Sequence, residues 1–156
     1  MGPTFTQEAA RPTLTQEAVG PTFPEGGRES MPIYHGACHC GRVTFEVDAS
    51  PTRLSVCNCS MCSAKGAVYV PVAEIAAVTI LSGEDEITAY RFNTGTATHM
   101  FCRHCGIHPF HRPRMDPSRW SVNARCLRDL DIASLPIVTF DGQNWDEAAR
   151  QHGWRK

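Results

Sequence analysis

The spacing of the cysteines constrains this chain more than any other feature. All of its eight thiols except Cys126 fall in three short groups: Cys38 and Cys40 in ACHCG, Cys57, Cys59 and Cys62 in CNCSMC, and Cys102 and Cys105 in FCRHCG. Cys102-x-x-Cys105-Gly106 has the spacing of a zinc knuckle, where a tight turn aims two thiolates at one tetrahedral ion and glycine takes the left-handed conformation that follows. One such pair is half a site. Cys38-x-Cys40-Gly41 has the same pair-then-glycine form and lies more than sixty residues upstream. Joined, the pairs close a four-thiolate site that clamps the start of the domain to its later half. Because the unfolded chain holds no preformed site, metal binding there is folding free energy.

Cys57, Cys59 and Cys62 remain as an odd set of three. They can wrap one zinc, and the fourth position then goes to water, a substrate thiolate or a nearby side chain; an open position is the mark of a catalytic zinc. Three thiolates make the ion electron-rich, which disfavours a strongly acidic bound water and favours exchange of another soft ligand. An open site therefore points to sulfur chemistry. A histidine from among His35, His39, His99, His104, His108 and His111 would instead close a second structural site. A third reading makes the triplet a reversible redox sensor. Cys126, beside Leu127, reads as a buried small hydrophobe.

The rest of the chain narrows the setting. Its 156 residues fit one domain, and 42% hydrophobic residues suffice for a core that metal assists without replacing. Fifteen basic against sixteen acidic residues give a formal net charge of -1 with no basic block at either end, so nucleic acid and anionic membranes have no electrostatic footprint to grip. No apolar run approaches the ~20 residues of a membrane helix. The start, MGPTFTQEAARPTLTQEAVGPTFPEGG, lacks the basic-then-apolar order of a secretory signal, so a cytoplasmic address is expected, where stable disulfides are rare.

PTFTQEAAR from Pro3 and PTLTQEAVG from Pro12 are copies at a spacing of nine, and PTFPEGG from Pro21 begins a third. Each copy ends at a proline that would stop a helix, so residues 1–33 are expected to be a flexible arm. The domain is expected over 34–145, with a tail at 146–156. Within it the pattern is mostly period two: Arg42 to Val47, Ala67 to Val70 and Ile87 to Phe92 alternate, and Ala97 to Phe101, Arg119 to Asn123 and Pro136 to Phe140 read as further strands. Short helical turns are expected at Cys59 to Lys65 and after Asp141.

GACHCGRVTFE at Gly36 to Glu46, CNCSMCSAKG at Cys57 to Gly66, FCRHCGIHPFHRPRMDP at Phe101 to Pro117, SVNARCL at Ser121 to Leu127 and FDGQNW at Phe140 to Trp145 occur in that order. As a set they resemble the glutathione-dependent formaldehyde-activating enzyme family, which also contains the centromere protein V type. The resemblance implies a mainly β, Mss4-like arrangement of antiparallel sheets with two zinc sites. It carries the structural zinc to Cys38, Cys40, Cys102 and Cys105, and the catalytic zinc to Cys57, Cys59 and Cys62. The implied reaction is that of a carbon–sulfur lyase, joining glutathione as thiol cosubstrate to formaldehyde or a related small carbonyl to give an S-hydroxymethyl adduct, in either direction.

Glutathione carries two carboxylates and an ammonium, so its pocket needs a fixed cation. Lys65, Arg112, Arg114 and Arg125 lie near the metal motifs in sequence, and arginine offers bidentate recognition, which makes Arg112 and Arg114 the expected ligand-binding residues. Asn123 is expected to orient a substrate polar group or to bond the backbone. Asp116, before Pro117, serves a turn or carries a proton, and His108 and His111 either transfer a proton or hydrogen-bond a thiolate. In the alternative of the centromere protein V type, the same zinc-stapled domain is a platform for other proteins. Self-association stays open in both readings.

Overall fold

A computed structural model describes residues 31–153. The repeats starting at Pro3, Pro12 and Pro21 lie outside them. Ten strands and two short helices follow in the order β1 (Ile33–Ala37), β2 (Thr44–Ala49), β3 (Leu54–Cys57), α1 (Ser60–Lys65), β4 (Tyr69–Val70), β5 (Ile75–Ser82), β6 (Ile87–Tyr90), β7 (Thr98–Cys102), β8 (Phe110–Arg112), β9 (Ser121–Asn123), β10 (Ile137–Phe140) and α2 (Trp145–Gln151). The chain is mainly β, and its open sheets agree with the Mss4-like arrangement.

A three-stranded antiparallel sheet, β1-β2-β5, faces a seven-stranded sheet ordered β10-β3-β4-β9-β8-β7-β6. The larger sheet is antiparallel except at one edge, where β10 runs parallel to β3. Strict alternation on β2 buries Phe45, Val47 and Ala49 and leaves Thr44, Glu46 and Asp48 half-buried. Phe45 meets Phe110 of the larger sheet edge to face, with ring centroids 5.2 Å apart, and Val43, Leu54, Val70 and Val122 complete the same core. Each such side chain stabilises the fold by about 1.5–3 kcal/mol when fully buried.

The strands expected from alternation are present with shifted ends: the one at Ala67 to Val70 shortens to Tyr69–Val70, and the one at Ile87 to Phe92 stops at Tyr90. Strands β1, β3, β5 and β8 were not expected. β5 hides because irregular register at both ends of its pairing with β2 breaks the period, leaving only Ile75 fully buried. The tail expected over 146–156 opens with α2, whose Ala148 and Ala149 are buried. Among the described residues no helix is long and apolar enough to cross a membrane.

Candidate active site

Two similar turns build the four-cysteine cluster. Where β7 ends at Cys102, the Gly106 N–H donates to the Cys102 carbonyl at 2.9 Å with Gly106 at φ +73°. At the other knuckle the Gly41 N–H donates to the Cys38 carbonyl at 3.1 Å with Gly41 at φ +76°. These left-handed residues are the ones the pair-then-glycine spacing requires. The four Sγ atoms lie within 4.8 Å of one another, Cys38 to Cys40 at 3.5 Å and Cys40 to Cys102 at 3.7 Å. A tetrahedral ion with metal–sulfur bonds near 2.3 Å holds its sulfurs about 3.8 Å apart, so the donors fit zinc.

The triplet sits where β3 hands over to α1. Cys57 ends the strand, Cys59 caps the helix by accepting the Cys62 N–H at 3.4 Å, and Cys62 is buried in its first turn. The three Sγ atoms also lie within 4.8 Å of one another. No histidine or carboxylate ligand atom among the described residues joins them at that distance. His35 is bonded to Asp129 and His104 to Glu86, both exposed, while His99, His108 and His111 form a buried cluster of their own. Hydrogen bonding to Cys57 holds the Cys62 thiol down at about 6 against burial, with help from the Lys65 charge and the Tyr69 hydroxyl. Cys57, the partner that keeps the proton, is pushed up by the same bond and by burial.

Behind the triplet runs a polar chain that sequence reading did not assemble. Tyr69 Oη lies 3.7 Å from Cys62 Sγ and 3.3 Å from His108 Nε2, and Lys65 Nζ lies 3.0 Å from both His108 Nε2 and His99 Nδ1. Burial lowers Lys65 to about 8 although the thiols pull the other way, and burial together with the Lys65 charge lowers His99 to about 4 and His108 to about 3. His108 thus reaches the thiolates through Tyr69.

The triplet opens on a cleft of about 1030 Å³, whose wall includes Tyr69, Phe92, His99, His111, Phe140 and Trp145. Arg53, Arg114 and Arg119 also line it. Of the residues expected to bind the thiol, Arg114 reaches the cleft, stacked on Trp145 with its guanidinium 4.0 Å from the ring centroid and 3.3 Å from Asp146. Arg112 does not line it: its guanidinium lies 3.4 Å from the Trp120 ring centroid and donates to the Ser118 carbonyl at 2.7 Å. Asn123 does not line it either, because its amide donates to the His108 carbonyl and its side-chain oxygen accepts the Arg125 N–H. Asp116 lines the cleft but accepts the Ser118 N–H and hydroxyl, the bonds of a turn. Cys126 is buried in the core and belongs to neither thiol cluster.

Open antiparallel sheets that carry a four-thiol staple and a separate three-thiol set at a cleft define a β domain with two thiol clusters suited to metal. The sequence matches the family model described as glutathione-dependent formaldehyde-activating enzyme over residues 33–140, and the chain belongs to that family. A crystal structure of a Rhodobacter sphaeroides protein is similar to it, with 32% identity, coverage of 67% of this chain and 99% of that one, and a TM-score of 0.57.

Proposed function

We propose that the protein is a zinc-dependent carbon–sulfur lyase that joins glutathione, or a thiol of that class, to formaldehyde or a related small carbonyl and cleaves the adduct in reverse. The observation that carries this reading is the triplet itself: three clustered thiols, with no fourth side-chain ligand among the described residues, facing a cleft of the size that takes small ligands. Cys38, Cys40, Cys102 and Cys105 would hold one zinc and Cys57, Cys59 and Cys62 a second, which when bound holds a substrate thiolate and polarises an adjacent oxygen.

In the forward direction a sulfur–carbon bond forms at the carbonyl carbon, and the thiol proton ends on the former carbonyl oxygen. The reverse step breaks that bond and returns the proton. Tyr69 Oη, held between Cys62 Sγ and His108 Nε2, is the group we assign to exchange it. Arg53, Arg114 and Arg119 line the cleft, and we assign them to complement the two carboxylates of glutathione. The aromatic side chains of Phe92, Phe140 and Trp145 give the reacting atoms an apolar wall.

Elemental analysis of the purified protein, paired with zinc-edge absorption spectra before and after glutathione, tests the proposal. The expected result is two zinc ions per chain, one passing from a three-sulfur to a four-sulfur shell on thiol addition. Two closed shells that ignore glutathione would overturn it and favour a platform of the centromere protein V type.

A further inference from the structure

His99 and His111 take no part in the chemistry just assigned, yet both are buried. Antiparallel register sets His99 of β7 opposite His111 of β8, and His108 lies just before β8, so two neighbouring strands direct three imidazoles into one pocket. One ring nitrogen from each lies within 4.8 Å of the others, and the His99 and His111 rings stack with centroids 5.2 Å apart. A cation already occupies the pocket: the Lys65 ammonium, 3.0 Å from His99 Nδ1 and from His108 Nε2.

The hydrogen bonds fix how the rings are presented. His108 Nδ1 lies 2.8 Å from the Met100 carbonyl and must donate to it, which leaves a lone pair on Nε2. An ammonium only donates, so His99 also offers a lone pair, at Nδ1. His108, anchored through Nδ1 with its Nε2 lone pair turned to the pocket, is oriented as histidine is in metal sites. His111 is 8% exposed, and its Nδ1 is buried with no hydrogen-bond partner, a condition that a bound ligand would relieve. His99 and His111 also line the cleft, which gives an ion a way in.

We propose that His99, His108 and His111 form a third metal site, for an imidazole-preferring divalent ion such as nickel, cobalt or zinc, and that Lys65 plugs it, so that the ammonium and the metal are alternative occupants of one pocket. Lys65 satisfies two of the three rings, with Tyr69 Oη a second partner of His108 Nε2 at 3.3 Å, whereas a metal ion can take a lone pair from all three. Lys65 ends α1 just before Gly66, which caps the helix in the left-handed conformation, so the plug sits at a helix end.

The test uses the full chain with its resident metals. Ni²⁺ is titrated calorimetrically into the unmodified protein, Lys65→Met, Lys65→Arg and the double variant Lys65→Met/His111→Ala. Lys65→Met should bind one more Ni²⁺ than the double variant, at least about tenfold more tightly than the unmodified protein does, and Lys65→Arg, which keeps a cation, should gain nothing. In the unmodified protein, excess Co²⁺ should shift the ring NMR signals of His99, His108 and His111. The proposal is overturned if a Lys65→Met variant with native circular dichroism and unchanged cysteine-bound metal takes up no more Ni²⁺ than the double variant. It is equally overturned if the Co²⁺ shifts fall only on exposed His35, His39 and His104. Should Lys65→Met fail to fold, the Co²⁺ spectrum of the unmodified protein decides alone.

Discussion

A Cβ placed on Gly142 would stand 2.3 Å from the Sγ of Cys57 and 3.0 Å from the Cβ of Cys59, so the backbone of FDGQNW packs directly on the triplet. Parallel pairing of β10 with β3 brings it there by setting Phe140 opposite Cys57. The Asn58 amide then donates to Asp141 at 2.9 Å, and the Gln143 N–H donates to Asn58 at 2.9 Å. Gly142→Ala must push Cys57 aside. We expect triplet metal affinity to fall by about 10–100-fold, the scale on which disturbed ligand orientation acts, with the four-cysteine site unaffected. Chelator competition read by elemental analysis checks this, and metal retention equal to that of the unmodified protein would contradict it.

The two thiol clusters should answer differently to loss of a ligand. Cys102 is fully buried and belongs to a cluster that joins segments over sixty residues apart, whereas Cys57, Cys59 and Cys62 are neighbours already. A structural zinc contributes on the order of 10 kcal/mol to folding, comparable with the entire ~5–15 kcal/mol stability of a domain. Cys102→Ala should therefore yield little folded protein. Cys59→Ala should fold and lose metal from the triplet alone. Thermal denaturation with metal analysis compares them, and a Cys59→Ala chain as unfolded as Cys102→Ala would mean both clusters are structural.

The four-cysteine cluster was legible because each knuckle is written in a few adjacent residues and half a tetrahedron requires another half. The triplet was legible for the same reason. Its surroundings were not, since His99 and His111 are twelve residues apart and meet only through the β7–β8 register. Arg112 is the opposite case. It lies near the metal motif in sequence, but neighbouring strand residues point to opposite faces, so His111 faces the cleft while Arg112 turns to Trp120. Gly142 stood in the FDGQNW motif with no role attached, because its importance is a close approach created by a parallel strand that returns from the far end of the chain.

The Cys57–Cys62 pair predicts a pH dependence. With the triplet stripped and the four-cysteine site loaded, thiolate absorbance of the triplet should appear near pH 6, from Cys62. A depressed folded pKa means that this contribution to stability is complete above the ordinary thiol value near 9 and is lost as pH falls toward 6. Metal should leave the triplet over the same acid side, because protons and metal compete for the thiolate. Tyr69→Phe removes the hydroxyl 3.7 Å from Cys62 Sγ, so the titration should move up by about one unit, the effect of a hydrogen bond worth roughly 1.4 kcal/mol. Difference spectra against Cys62→Ser isolate the signal, and an unmoved midpoint in Tyr69→Phe would show that the phenol does not support the thiolate.

Arg112 and Arg114 separate packing from recognition in one experiment. Each guanidinium lies over an indole, Arg112 on Trp120 and Arg114 on Trp145, but only Arg114 lines the cleft. If Arg114 holds a glutathione carboxylate, Arg114→Ala loses a charge-assisted contact of about 1.5–3 kcal/mol, reduced by its existing pairing with exposed Asp146. Glutathione should then bind about tenfold more weakly with the melting temperature little changed. Arg112→Ala should do the reverse. It leaves thiol affinity intact and destabilises the fold by about 1 kcal/mol through the lost cation–π contact. Glutathione titrations and thermal melts on both variants decide the matter: equal losses of affinity would remove the distinction between the two arginines, and unchanged affinity in Arg114→Ala would move the carboxylate contact to Arg53 or Arg119.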